Sequence, residues 1–111
     1  MKIITAIVQP FMLNKVTYAL EDMADFPGMT VTDVRGFGRK KSPGEQRAAQ
    51  YDPFHPKLRI EIVAPDEMVE SIVSTLVEHA RTGKDGDGKV FIWSVERAVR
   101  VQTGETDESA V

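Results

Sequence analysis

The chain has 111 residues, of which 41% are hydrophobic and 28% charged, with a formal net charge of −3 and no cysteine. That describes one small globular domain with enough apolar surface for a core. The acidic balance argues against a general nucleic-acid binder, and the missing thiols exclude disulfides, thiolate zinc sites and cysteine catalysis.

The opening MKIITAIVQP is too short for a secretory leader or a spanning helix, and no later apolar run reaches membrane length, so the cytoplasm is the expected location. Residues 2–9 read as a strand apolar on both faces, through Ile3, Ile4, Ile7 and Val8. Residues 13–24 read as a helix, with Val16, Ala19, Leu20 and Met23 on one stripe and Phe26-Pro27-Gly28 as its stop. Residues 29–38 begin as a β-rich run and finish in GFGR. From Arg39 to Pro56 no period holds, and a loop of that length inside a small domain is usually functional. KLRIEIV at 57–63 alternates, with Leu58, Ile60 and Ile62 on one face and Lys57, Arg59 and Glu61 on the other. Residues 66–81 read as a second helix with Val69, Ile72, Val73, Leu76 and Ala80 inward. KVFIWSV at 89–95 reads as a fourth strand, and the acidic tail at 106–111 as a flexible end.

The order βαββαβ predicts an α+β fold, the ferredoxin-like sandwich, over a single domain of residues 1–111. Two helices cover only one face of a sheet. The last strand has Phe91, Trp93 and Val95 opposing Val90 and Ile92, so its second face is expected to meet another copy of the chain.

The richest chemistry lies in TGKDGDGKVF, residues 82–91. A glycine-rich turn can bring successive backbone N–H groups together as an anion nest, and Lys84 and Lys89 add charge. GKDGDGK fits the P-loop by letter count, but Val90 follows it and the order is helix, loop, strand, so it is not one. Asp85, Asp87 and Glu96 are spaced like calcium-loop positions, but Val90 and Lys89 stand where that loop needs a glycine and a ligand. Arg39, Lys40 and Lys41 form a cation cluster whose strand end could approach the glycine turn. His55 and Asp52 are candidate metal ligands and too few for a site on their own, while His79 sits at the margin of the second helix stripe. No Ser-His-Asp set appears, and Glu61 and Asp87 are the candidates for a water-activating base. Phe91 and Trp93 could stack bases, but no RNP-type aromatic run accompanies them.

GFGR (36–39), IEIV (60–63), TGKDGDGKVF (82–91) and RVQTGE (100–105) resemble the PII signal-transduction family, and the likeness covers nearly the whole chain. The resemblance implies a homotrimeric regulator of nitrogen utilisation, not an enzyme. It implies ATP or ADP, with AMP a further candidate and Mg an accompanying ion, as effectors in clefts between subunits, with no obligatory cofactor. It implies a long T-loop, here about residues 40–56, that grips a partner protein such as a transporter or metabolic enzyme. By position, the nucleotide would meet Ile7, Gly36, Phe37, Gly38, Arg39, Lys40, Glu61, Val63, Gly86, Asp87, Gly88 and Lys89 of one subunit. Gly28, Met29, Thr30 and Arg100 would come from its neighbour, and Tyr51 matches a tyrosine that some members have uridylylated.

Two positions depart from the family pattern. Lys40 replaces a glutamine that helps hold 2-oxoglutarate, and Gln102 replaces a second arginine. A lost guanidinium removes a charge-assisted contact worth roughly 1.5–3 kcal/mol. VQPFMLNKV, DFPGMT and VERAV are also similar to a divergent subgroup linked to heavy-metal efflux, and other divergent members are linked to inorganic-carbon uptake.

Overall fold

The computed structural model describes residues 1–38 and 52–111. Strand β1 (Lys2–Val8) leads through a 3₁₀ turn at Pro10–Met12 into helix α1 (Leu13–Glu21). Strands β2 (Thr30–Gly36) and β3 (His55–Ala64) follow. A second 3₁₀ turn, Asp66–Met68, opens helix α2 (Val69–Ala80), and β4 (Gly88–Ser94) ends the sheet. The strands lie in the order β2-β3-β1-β4, with every neighbouring pair antiparallel. This is the expected βαββαβ arrangement.

The core follows from alternation. Ile4, Ala6 and Val8 of β1 and Leu58, Ile60, Ile62 and Ala64 of β3 turn to one face. Val16 and Leu20 of α1 and Val69, Ile72, Leu76 and Ala80 of α2 close over them. The two helices pack on each other, and α2 also packs on β1. The opposite face carries Ile3, Thr5 and Ile7 of β1 beside Trp93, Phe91 and Lys89 of β4. Phe91 is 47% and Trp93 52% exposed in the single chain.

Element ends differ from the sequence reading where local chemistry intervenes. Helix α1 stops at Glu21, and Asp25 then takes a left-handed φ of 59°. The chain has already turned before Phe26-Pro27-Gly28, which the sequence reading took as the stop. His55 and Pro56, read as loop, are the first two residues of β3. Pro56 is tolerated because it pairs only with Arg35 of β2, while β1 joins β3 from Leu58 onward. Its missing N–H therefore breaks no bond to β1. The tail contains a 3₁₀ turn at Asp107–Ala110. The amino group of Met1 bonds Asp66 and lies 3.8 Å from Glu108.

Ile60 lies at the centre of the core and is fully buried. Ile60→Ala is expected to lower the unfolding free energy by about 2–5 kcal/mol, from lost transfer energy plus a cavity. Lys15→Gln on the exposed face of α1 should stay within about 0.5 kcal/mol. Urea unfolding followed by circular dichroism compares the two.

Candidate functional site

The glycine turn between α2 and β4 is built by one carboxylate. Asp87 Oδ2 accepts the N–H groups of Thr82 at 2.8 Å and Gly83 at 2.9 Å, and Asp87 Oδ1 accepts the Thr82 hydroxyl. Partial burial disfavours ionisation of Asp87, but hydrogen bonds from Thr82, Gly83 and Lys84 outweigh it. The carboxyl therefore titrates below the ordinary value of 3.8. A carboxylate so stabilised is a poor proton acceptor near neutrality, which weakens its reading as a catalytic base. Its bonds make it the organiser of the turn.

Gly88 has a φ of +108°, and a Cβ there would lie 1.7 Å from the carbonyl oxygen of Ile7. The close approach is thus to β1's own backbone. Lys57 supplies a third tie, donating from Nζ to the Gly86 carbonyl at 3.1 Å. It is largely buried although the alternation put it on the outward face. The sequence reading missed Lys57 as a site residue. The available signal was its place in the same row as Glu61, directed at the face that carries the site.

These ties shape a cleft of about 540 Å³. Ile7, Gly36, Phe37, Gly38, Gly86, Asp87, Gly88 and Lys89 line it, as do Lys57, Lys84, Asp85 and Phe91. Phe37 packs against Phe54 at a centroid separation of 5.8 Å, and the Arg35 guanidinium lies 6.0 Å from the Phe54 ring centre. Lys89 is exposed and makes no ion pair among the described residues.

A second cleft, of about 700 Å³, gathers Gly28, Met29, Thr30, Glu61, Val63 and Arg100 with Ile3, Pro27, Ala98, Ala110 and Val111. Ile7 borders the first cleft and Ile3 the second, so the two lie about 13 Å apart along β1. Glu61 and Val63, expected to flank the nucleotide base, line the second cleft, at the other end of β1 from the glycine turn. Glu61 Oε1 is 3.3 Å from Arg59 Nε, an ion pair on the open sheet face. Arg100 is exposed and has no ion-pair partner among the described residues.

Arg39, Lys40, Lys41 and Tyr51 lie outside the described residues. Asp52 accepts the Phe54 N–H at 3.0 Å, a turn contact. His55 is buried with its Nε2 unpaired, and no cluster of three potential metal ligands occurs among the described residues. His79 donates from Nδ1 to the Thr75 carbonyl at 2.9 Å, so it serves helix α2. None of the described helices is long and apolar enough to cross a membrane.

Because the folded carboxyl of Asp87 titrates below 3.8, its stabilisation is complete above that pH and is lost as pH falls through the lowered value. Asp87→Asn should be less stable than the parent at pH 7, and the difference should shrink to nothing in strong acid. Thermal unfolding across pH 2–7 measures it, and a gap that stays constant with pH would contradict the assignment.

The description nitrogen regulatory protein P-II matches residues 1–105. "Nitrogen regulatory protein P-II" of Haemophilus influenzae is 48% identical over 113 aligned positions, covering all of both chains. "Nitrogen regulatory protein P-II 1" of Escherichia coli K12 and "Nitrogen regulatory protein P-II" of Pasteurella multocida are each 49% identical, again over the full length of both. With its βαββαβ sheet and this match over nearly every residue, the chain belongs to the nitrogen regulatory protein P-II family of signal-transduction regulators.

Proposed function

We propose that this chain binds adenine nucleotides, ATP or ADP with AMP a further candidate, and that occupancy controls a partner protein through residues 40–56. The partner is a transporter or metabolic enzyme in nitrogen utilisation, in keeping with the names of the relatives. The protein acts as a cytoplasmic homotrimer and a regulator, and Mg accompanies the triphosphate.

One observation carries the reading. Among the described residues, Lys89 and Arg100, exposed cations expected at the phosphates, border clefts at opposite ends of the sheet. They meet one ligand when a second copy of the chain supplies one of them. The open face with Phe91 and Trp93 half-exposed offers the surface for that association. At the first cleft, Lys57, Lys84 and Lys89 stand beside a turn whose backbone is held fixed by Asp87. A pre-ordered donor array costs little reorganisation on binding an anion. A nucleotide changes the loop only if it binds its conformations unequally, so the ligand must touch the loop's foot near Gly36–Gly38. With Gln102 in place of an arginine, the number of phosphates is read less sharply.

Calorimetry with ATP, ADP and AMP tests the first step. Lys89→Glu should weaken binding at least about tenfold, a loss of about 1.4 kcal/mol, while Lys15→Glu on the remote face of α1 should leave it unchanged. Absence of binding by every adenine nucleotide at millimolar concentration would end the proposal.

Sedimentation tests the assembly. The parent should run as a trimer, and Trp93→Asp should release monomers that bind nucleotide poorly. A parent that stays monomeric while binding at full affinity would rule out the shared cleft.

A further inference from the structure

Arg100 stands on an arm that folds back on itself between Ala98 and Asp107. Its N–H donates to the Glu105 carbonyl at 2.8 Å, and the Gly104 N–H donates to the Arg100 carbonyl at 2.8 Å. Val99 bridges to Thr106 in antiparallel fashion. One residue closes the base of this arm. The Asp107 N–H donates to the Ala98 carbonyl at 2.7 Å, and Asp107 Oδ1 accepts the Ala98 N–H at 3.2 Å.

Two bonds from one residue fix both the position and the orientation of the Ala98 peptide, just upstream of Arg100. Asp107 makes both from a left-handed φ of 54°, a conformation that aspartate and asparagine tolerate far better than most side chains. The second cleft is lined from both sides of this clamp, by Ala98 and Arg100 before it and by Ala110 and Val111 after it. The guanidinium itself is exposed and unpaired among the described residues, so the arm holds it out without using it internally. On a loose arm, a ligand would bear the entropy of ordering the backbone as well as the side chain. The clamp removes the backbone part in advance.

We infer that Asp107 is a positioning residue for Arg100, pre-ordering the arm that brings the guanidinium to a phosphate of the bound nucleotide. This rests on the nucleotide reading above. Asp107 need not touch the ligand; it acts through Ala98. The residue type is specific, because only a side chain with an oxygen at that reach and a tolerance for left-handed backbone can make both bonds. Asparagine keeps both properties. Alanine keeps neither, and glycine keeps only the backbone freedom.

The test is ADP binding by calorimetry to the full chain and its variants. Arg100→Ala and Asp107→Ala should each weaken ADP about tenfold, and the double variant should bind no more weakly than Arg100→Ala alone. Asp107→Asn should bind within about twofold of the parent. Should Asp107→Ala fail to fold, Asp107→Gly takes its place, with the same loss expected. Full affinity in Asp107→Ala or Asp107→Gly would overturn the inference, as would losses that add in the double variant or a failure of Asp107→Asn to rescue. A parent that binds no ADP would bring down the nucleotide reading and this inference with it. A parent that binds ADP, with Arg100→Ala weakened and Asp107→Ala unaffected, would bring down this inference alone.

Discussion

The contact between Gly88 and the carbonyl of Ile7 governs the geometry of the first cleft. No L side chain fits a position where a Cβ would fall 1.7 Å from a backbone oxygen. The start of β4 is therefore pressed onto the end of β1, an inner strand of the sheet. The turn that precedes Gly88 inherits a fixed origin. Asp87 gathers the N–H groups at the other end of that turn, and Lys57 reaches from β3 to hold the Gly86 carbonyl. Three consecutive residues are thus tied to three different places. Packing and hydrogen bonding give the turn its shape on positive φ values at Gly83, Gly86 and Gly88 that glycine allows.

That fixed shape bears on how an acidic chain can host an anion. The formal charge of −3 is a property of the whole surface, and at physiological ionic strength charges act over about 8 Å. Lys57, Lys84 and Lys89 line one cleft together, while Asp87 turns its charge inward to Thr82 and Gly83. The local field is then set by these lysines, by Asp85 on the same lining and by N–H dipoles, not by the sum over the chain. Overall charge still argues against the broad electrostatic attraction that a nucleic-acid binder uses.

Much of this was legible in the sequence, and the gaps have physical causes. The alternation of Leu58, Ile60 and Ile62 and the stripe of Val69, Ile72, Leu76 and Ala80 report burial directly, so the sheet and helices could be read from period alone. The element ends could not, because they depend on partners distant in sequence. Pro56 enters a strand only because its neighbour on one side starts two residues later. The tail's turn depends on Asp107 meeting Ala98, which no local pattern announces. At the site, the glycine turn was conspicuous, whereas Lys57 was hidden by looking like any outward strand residue. Asp87 lines the cleft as well, but its hold on Thr82 and Gly83 is invisible until the turn closes. That Glu61 and Val63 reach the other end of the sheet from the glycine turn depends on strand register, which sequence order does not report.

The open face of the sheet imposes a last constraint. Phe91 and Trp93 would gain by losing contact with water, roughly 25 cal/mol for each Å² of apolar surface covered. The same face holds the Arg59–Glu61 pair, and removing such a pair from water costs several kcal/mol per ion unless hydrogen bonds replace the solvent. Thr5, 5% exposed and flanked in register by Glu61 and Phe91, has a hydroxyl with no partner among the described residues. A second layer laid flat across this face would therefore gain on the β4 side and lose on the β3 side. In the proposed assembly, packing β4 against another copy while leaving Glu61 at a wetted rim would resolve the conflict. That rim is the wall of the second cleft, where Glu61 already stands with Arg100. In the proposed assembly, the energetics of covering the sheet would thus place the opening between copies where the two cations would also place it.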